Sequence, residues 1–358
     1  MSAADGVRSD PLDWPARAPA IFGCAGLRLD AAERAFFRAV APVGFILFAR
    51  NVDTPAQVRT LVADLRDAVS DPAVPVFIDQ EGGRVARLKP PHWRAAPAAA
   101  LFGERHAADA GAAGEAARLN AELIGRELRD LGIDVDCLPL LDVRQPDADK
   151  VIGDRAFSED PAVVAALGRA VARGLADGGC QAVAKHLPGH GRASVDSHLG
   201  LPRVTASAAE LEAVDFAPFR ALNDLPWGMT GHLVFEAFDP DRPATLSVPV
   251  IERAIRGSIG FDGALMTDDI NMGALSGSLA ERTDAALRAG CDLVLHCSGK
   301  LAEMQAVAAA LLPTTPAAAE RLQHARDTRP APPPAPPPPG PGQGADPVQE
   351  LHRLMASA

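Results

Sequence analysis

The sequence predicts an α/β fold, a single (β/α)8 barrel of the TIM type followed by a Pro-rich C-terminal tail. Three observations carry that expectation. Short apolar runs alternate with amphipathic ones about eight times over roughly 300 residues, the pattern of buried parallel strands joined by helices. No linker-like stretch interrupts the alternation between residues 19 and 327. Finally Asp79, Asp142, Lys185, His232 and Asp268 all stand where a predicted strand stops, and barrel enzymes keep their active sites on that face.

The elements follow in order. Ala20-Ile21-Phe22-Gly23-Cys24 reads as the first strand, and Asp30 with Glu33 forms a capping box that opens a helix. Val43-Gly44-Phe45-Ile46-Leu47-Phe48 is a continuous apolar strand; Thr54-Pro55 then starts a helix with Val58, Leu61, Val62, Leu65 and Val69 on one face. Val74-Pro75-Val76-Phe77-Ile78 ends on the charged, Gly-rich run Asp79-Gln80-Glu81-Gly82-Gly83-Arg84-Val85-Ala86-Arg87. A helix carrying Leu119, Leu123, Leu128 and Leu131 stops at Gly132, and Ile133 through Leu141 is expected to be a partly alternating strand. Asp160-Pro161 starts another helix, through Leu167, Val171 and Leu175 to Gly178. The strand Cys180-Gln181-Ala182-Val183-Ala184 then delivers Lys185 and His186. Ser207 and Glu210 form a further capping box, and strands are expected at Trp227-Gly228-Met229-Thr230-Gly231-His232, at Gly263 through Asp269 and at Cys291 through His296.

Outside the barrel, residues 1–18 form an irregular leader, 328–345 a Pro-rich low-complexity segment and 346–358 a short tail able to form a docking helix. A polyproline-like stretch offers no packed face, so the end of the chain from residue 328 is expected to be dispensable. With 47% hydrophobic residues and a net charge of −11, the chain can bury a large core and repels nucleic acid and anionic lipid. No signal-peptide core or membrane-length apolar run is present, which makes the cytoplasm the default location. Five cysteines (Cys24, Cys137, Cys180, Cys291, Cys297) lack a metal-ligand pattern and are expected to be reduced and buried.

Residues 185–198 concentrate chemistry, with three His, one Asp and one Lys in fourteen positions. The glycines and Pro188 make the part beyond the strand a loop that can serve as a lid. Asp196 and His198 are two apart, so the carboxylate can hold one ring nitrogen while the other faces a reacting atom, as a general acid/base requires. Read without any relative, Asp268 is either a helix cap or a nucleophile, and Asp269 a cap or an orienting partner. Arg87 and Arg155 are either surface cations or ligand donors. Trp93 and Trp227 read as core filler.

Four stretches, Ile78 through Val85, Gly153-Asp154-Arg155-Ala156-Phe157, residues 185–198 and Thr267 through Gly273, together resemble the family 3 glycoside hydrolases. The Asp-x-His of the lid resembles in particular the single-domain bacterial β-N-acetylglucosaminidases of cell-wall recycling. The resemblance spans roughly residues 20 to 320 and leaves out the leader and tail. It implies a retaining exo-hydrolase with Asp268 as nucleophile and His198, supported by Asp196, as acid/base. It also implies that Asp79, Arg87, Arg155, Lys185 and His186 hold the sugar hydroxyls. The implied substrate is a muropeptide fragment bearing terminal β-linked N-acetylglucosamine, with no cofactor, nucleic-acid partner or membrane partner.

A histidine acid is an exception to the usual carboxyl pair of retaining glycosidases, yet an imidazole beside a carboxylate can protonate a leaving oxygen near neutral pH. Two other readings stay open. His186, His190, Asp196 and His198 could coordinate a divalent metal in a barrel metallohydrolase, although Pro188 and Gly189 prevent the helix that the His186/His190 spacing suits. A non-catalytic saccharide-binding barrel is the other. The sequence leaves the oligomeric state and the preferred aglycone open.

Overall fold

The computed structural model describes residues 17–146, 151–193, 200–333 and 346–356. Eight strands close a barrel in which every neighbouring pair is parallel. They are β1 (Ala18–Gly23), β2 (Pro42–Leu47), β3 (Val76–Ile78), β4 (Val135–Asp136), β5 (Gln181–Leu187), β6 (Trp227–Thr230), β7 (Ala264–Asp269) and β8 (Leu293–His296). Closure is made by β8 lying beside β1, with Ala20 opposite Val294. The expected fold class is therefore the observed one.

Local sequence chemistry places the helices. Asp30 caps α1 (Ala31–Val40) through the expected box with Glu33, and Thr54 caps α2 (Pro55–Ala68), whose buried face is Val58, Leu61, Val62, Leu65 and Ala68. Two helices, α3 (Ala99–Ala108) and α4 (Ala110–Asp130), fill the connection from β3 to β4. Asp160 caps α5 (Pro161–Asp177), which packs beside α4. The Ser207–Glu210 box is present but opens only a short turn that continues as a wider π-helical segment over Leu211–Asp215. A second π-helical stretch, Val250–Ser258, bridges β6 and β7.

Two apolar layers result. Ile21, Val43, Ile46, Phe77, Val135, Val183, Trp227, Met229, Met266 and Leu293 fill the barrel interior, and a larger layer lies between the strands and the helices. Trp227 is core as expected: it meets Phe77 edge-on at 5.1 Å, and its indole N–H donates to Gln181 Oε1 at 3.1 Å. Gln181 in turn donates to the Ala325 carbonyl at 2.6 Å, so the helix Pro316–Asp327 closes the lower end of the barrel with Leu322 and Ala325. All five cysteines are free and buried. Among the described residues no helix is long and apolar enough to cross a membrane.

Three features differ from expectation. Only Val135–Asp136 of the nine-residue run Ile133 through Leu141 forms a regular strand, because Pro139 has no N–H to donate to a ladder; beyond it a single bridge joins Leu140 to Lys185. The central strand runs on through Leu187, so Lys185 and His186 lie on rigid sheet. At the C-terminus, the helix Pro347–Ala356 buries Leu351 and Leu354 against α4, and Arg329 pairs with buried Asp134 at 3.4 Å. A segment anchored at both ends in this way gives no support to the expectation that residues beyond 328 are dispensable.

Candidate active site

The strand ends converge on a cleft of about 330 Å³ at the C-terminal mouth of the barrel, near the lower end of the roughly 300–1,000 Å³ of small-molecule sites. Asp79, Arg87, Arg155, Lys185, His186 and Asp268 all line it, together with Glu81, His190 and Asp269. Asp196 and His198 lie outside the described residues. A larger groove of about 630 Å³ runs along α2 and the end of α4 and contains none of the strand-end groups.

Charge on one wall is organised around Lys185, which β5 holds almost fully buried. Its ammonium donates to Asp79 Oδ1 at 3.0 Å and meets Glu81 Oε1 at 2.6 Å. Arg87 donates to the other oxygen of Asp79 at 3.0 Å, and Arg155 grips Glu81 through two bonds of 2.8 Å. Burial alone would raise both carboxyls, but Lys185 and Arg87 hold Asp79 below its ordinary range, and Lys185 with Arg155 brings Glu81 down to about 2. Burial likewise disfavours the ammonium, yet Glu81 and Asp79 hold Lys185 above the ordinary lysine range. Asp79, Glu81, Arg155 and Lys185 are thus charged at neutral pH, and Arg87 and Arg155 are ion-pair partners rather than free surface cations.

The second wall is a histidine array. His186 Nδ1 lies 2.8 Å from Asp142 Oδ2, while the other oxygen of Asp142 accepts from the amides of His186 at 3.2 Å and His190 at 2.7 Å. Burial opposes the ionisation of Asp142, but His186 and then His190 hold it below its ordinary value. Burial first, and then neighbouring His186, pushes His190 down to about 4. His232 is buried between Thr245 Oγ1 at 2.7 Å from Nδ1 and the Asp269 carbonyl at 3.0 Å from Nε2, and burial lowers its pKa. A neutral ring donating from Nε2 and accepting at Nδ1 satisfies both contacts.

Asp268 is the next-to-last residue of β7 and has His186 and His232 as electrostatic neighbours. Although burial would raise it, His186 and His232 with the Asp269 amide and Lys185 hold it below its ordinary value. It does not cap a helix, since the next one, Leu279–Ala289, is capped by Ser278. Asp269 keeps an orienting part: its Oδ1 accepts from the amides of Asn271 at 3.1 Å and Cys297 at 3.2 Å, and burial pushes it up to about 6.

Glu81, Asp142 and His232 carry structural weight that the sequence reading did not assign, although Asp142 and His232 were visible as strand-end polar residues. For the metal reading, the His186 and His190 rings are 5.5 Å apart with Asp142 already bonded to the first. Among the described residues no three His, Cys, Asp or Glu side chains converge as a metal site.

A TIM barrel whose strand ends carry fixed donors and acceptors around one ionised carboxylate has the layout of an enzyme site for a small polar ligand. Residues 27–325 match the glycosyl hydrolase family 3 N-terminal domain, and the chain belongs to that family of glycoside hydrolases. It is 39% identical over 284 residues to a protein named β-hexosaminidase from Alkalilimnicola ehrlichii, covering 78% of this chain and 80% of that one. It is 39% identical over 312 residues to a β-hexosaminidase from Chromobacterium violaceum, covering 86% of each. Among solved structures it is similar to NagZ from Neisseria gonorrhoeae in complex with N-trifluoroacetyl-D-glucosamine, with a TM-score of 0.81, 31% identity and coverage of 95% of this chain and 94% of that one.

Proposed function

We propose that this glycoside hydrolase is a retaining exo-β-N-acetylglucosaminidase that removes terminal β-linked N-acetylglucosamine from muropeptide fragments in the cytoplasm. The observation that carries the reading is the Asp268 carboxylate, kept ionised at the cleft floor while a wall of paired charges stands beside it. An ionised carboxylate suits attack on an anomeric carbon, and the names of the β-hexosaminidase relatives together with the sugar in the Neisseria complex support the choice of sugar.

In this mechanism Asp79, Arg87, Arg155, Lys185 and His186 bind hydroxyls of the terminal sugar. The two contacts of the Lys185 ammonium leave one of its three N–H bonds for the ligand. Asp268 attacks the anomeric carbon as His198 protonates the leaving oxygen; the anomeric C–O bond to the aglycone breaks as the bond to Asp268 forms. His198, oriented by Asp196, then takes a proton from a water whose oxygen attacks the anomeric carbon; the bond to Asp268 breaks, its carboxylate is restored, and the sugar leaves with retained configuration.

The test is a pair of assays, one on aryl β-N-acetylglucosaminide and one on aryl β-glucoside, with a slow 2-acetamido-5-fluoro glycosyl donor as trap. Turnover confined to the acetamido substrate and one sugar mapped to Asp268 are expected. No label, together with strong inhibition by a thiazoline, would transfer the nucleophile's role to the substrate's own acetamido oxygen.

A further inference from the structure

We propose that the C-terminal helix Pro347–Ala356, which lies beyond the family-matching residues 27–325, acts through Arg105 and α3 as a positioning brace for the Glu81–Arg155 wall of the cleft. The helix lays Leu351 and Leu354 into the same apolar layer as Phe102 of α3 and Ala113, Ala116 and Ala117 of α4. Its last turn is fixed by Arg105, buried to 7% exposure, which donates from Nε to the Leu354 carbonyl at 2.8 Å. Burying a guanidinium is costly unless its donors find partners. A carbonyl at the end of a helix, where backbone acceptors are left over, is the partner this one has found.

The other end and flank of α3 touch the site. A Cβ on Gly103 would lie 1.7 Å from the Phe157 carbonyl, so the α3 backbone rests directly on the loop that carries Arg155. A Cβ on Gly82 would lie 2.3 Å from the Pro97 carbonyl, and one on Gly83 2.7 Å from Ala98 Cβ. The turn carrying Glu81 is thereby pressed against the start of α3 with no room for a side chain. Glu81 and Arg155, 74 residues apart in sequence, form their two-bond ion pair across these supports. Close-packed backbone contacts of this kind transmit displacement rather than absorb it. Loss of the C-terminal helix would take away the acceptor of Arg105 Nε, leave the guanidinium with only the looser Asp109 contact of 3.6 Å, and uncover the apolar face of α3, freeing α3 to shift and taking both loops with it. Arg105 is accordingly a positioning residue.

The test uses the full chain and rests on the proposed sugar-binding reading only for its kinetic arm. The double variant Leu351→Asp/Leu354→Asp should raise KM for the aryl N-acetylglucosaminide about tenfold, short of the ~100-fold that a 1 Å misplacement can cost, with kcat within about twofold. Arg105→Ala should do the same, and Arg105→Lys, which keeps one donor for the Leu354 carbonyl, should recover most of the loss. Amide exchange supplies a second, activity-free readout: amides of Gly153–Phe157 and of the Glu81–Gly83 turn should exchange faster in the double variant, while those of β8 stay unchanged. An unchanged KM with unchanged exchange at both loops would overturn the brace, and so would uniformly faster exchange across the barrel, since that marks general destabilisation. Absence of activity in the unaltered chain would instead count against the sugar reading and leave the exchange arm to decide the brace.

Discussion

Replacing Lys185 by Met tests the charged wall at its centre. The substitution keeps the length of the buried stem but removes an ammonium that lies 3.0 Å from Asp79 and 2.6 Å from Glu81. Taking one member from a buried ion pair costs about 3–5 kcal/mol because an uncompensated charge stays behind. Here Arg87 still holds Asp79 and Arg155 still holds Glu81, so the lower end, about 3 kcal/mol, is expected. At about 2.1 cal/mol/K of unfolding entropy per residue, a barrel of roughly 300 residues loses about 5 °C in Tm for that amount. The sign of the pH dependence follows from the two shifts. In the native chain both carboxyls sit below their ordinary values, so their contribution to stability is present above about pH 4 and is lost as pH falls through the folded values. Without Lys185 that contribution shrinks, and the stability gap between variant and native protein should be widest near pH 7 and narrow below about pH 4. On the proposed role of Lys185 in sugar binding, the loss of one charged hydrogen bond, about 1.5–3 kcal/mol, should lower kcat/KM on the order of 10- to 100-fold. Thermal melts at two pH values and initial-rate kinetics are the assays. A variant with Tm within about 1 °C of the native protein, or with a gap that grows on acidification, would refute the charge argument.

Two further outcomes follow from the same geometry. Thr245→Val removes a buried hydroxyl that lies 2.8 Å from Thr230 Oγ1 and 2.7 Å from His232 Nδ1, and stranding those groups should cost about 2–4 kcal/mol and lower kcat more than it raises KM; a neutral effect on both would show that His232 needs no fixed tautomer. Because Asp79 and Glu81 ionise below, and Lys185 above, the neutral range, the charge of this wall should stay constant from about pH 5 to 8. A change in KM of more than about threefold in that interval should therefore centre near pH 6, where Asp269 of the cleft lining titrates, and vanish in Asp269→Asn; its persistence there would refute the constant charge of the wall.

The strands were legible because each is a short apolar run that both faces of a parallel sheet bury, and the caps at Asp30, Thr54 and Asp160 were legible because N-capping is local chemistry. Site residues at strand ends followed once the barrel was inferred. Pairings did not: nothing in the spacing of Glu81 and Arg155 says that two loops 74 residues apart will meet. A docking helix at the C-terminus was anticipated, but where it docks was not legible, since a ten-residue helix draws its stability from tertiary contact rather than propensity. Arg105 would pass for a solvent-facing cation until the Leu354 carbonyl is placed beside it.

Adjacent carboxyls pushed in opposite directions are what an acid/base or nucleophilic site needs to separate two roles, and Asp268 and Asp269 are such a pair. Both edge the cleft, but Asp268 has His186, His232 and Lys185 as electrostatic neighbours, while Asp269 has the Asn271 and Cys297 amides and the Cys297 side chain to offset its burial, with the charge of Asp268 adding to the upward push. At neutral pH the ionised form of Asp268 is therefore the better stabilised, and with Asp269 pushed up to about 6 the ionised form of that residue is the more costly. A raised folded value means that Asp269 contributes stability below its ordinary pKa and loses that contribution as pH rises through about 6. Asn in its place still offers an oxygen to the Asn271 and Cys297 amides without the charge. Asp269→Asn should thus keep kcat within about threefold and flatten the fall in stability between about pH 4 and 6, whereas Asp268→Asn should lower kcat by about a thousandfold or more. Kinetics and melts of the two variants side by side decide the assignment. If Asp269→Asn is the inactive one and Asp268→Asn turns over normally, the nucleophile is not the residue that the histidine array holds ionised.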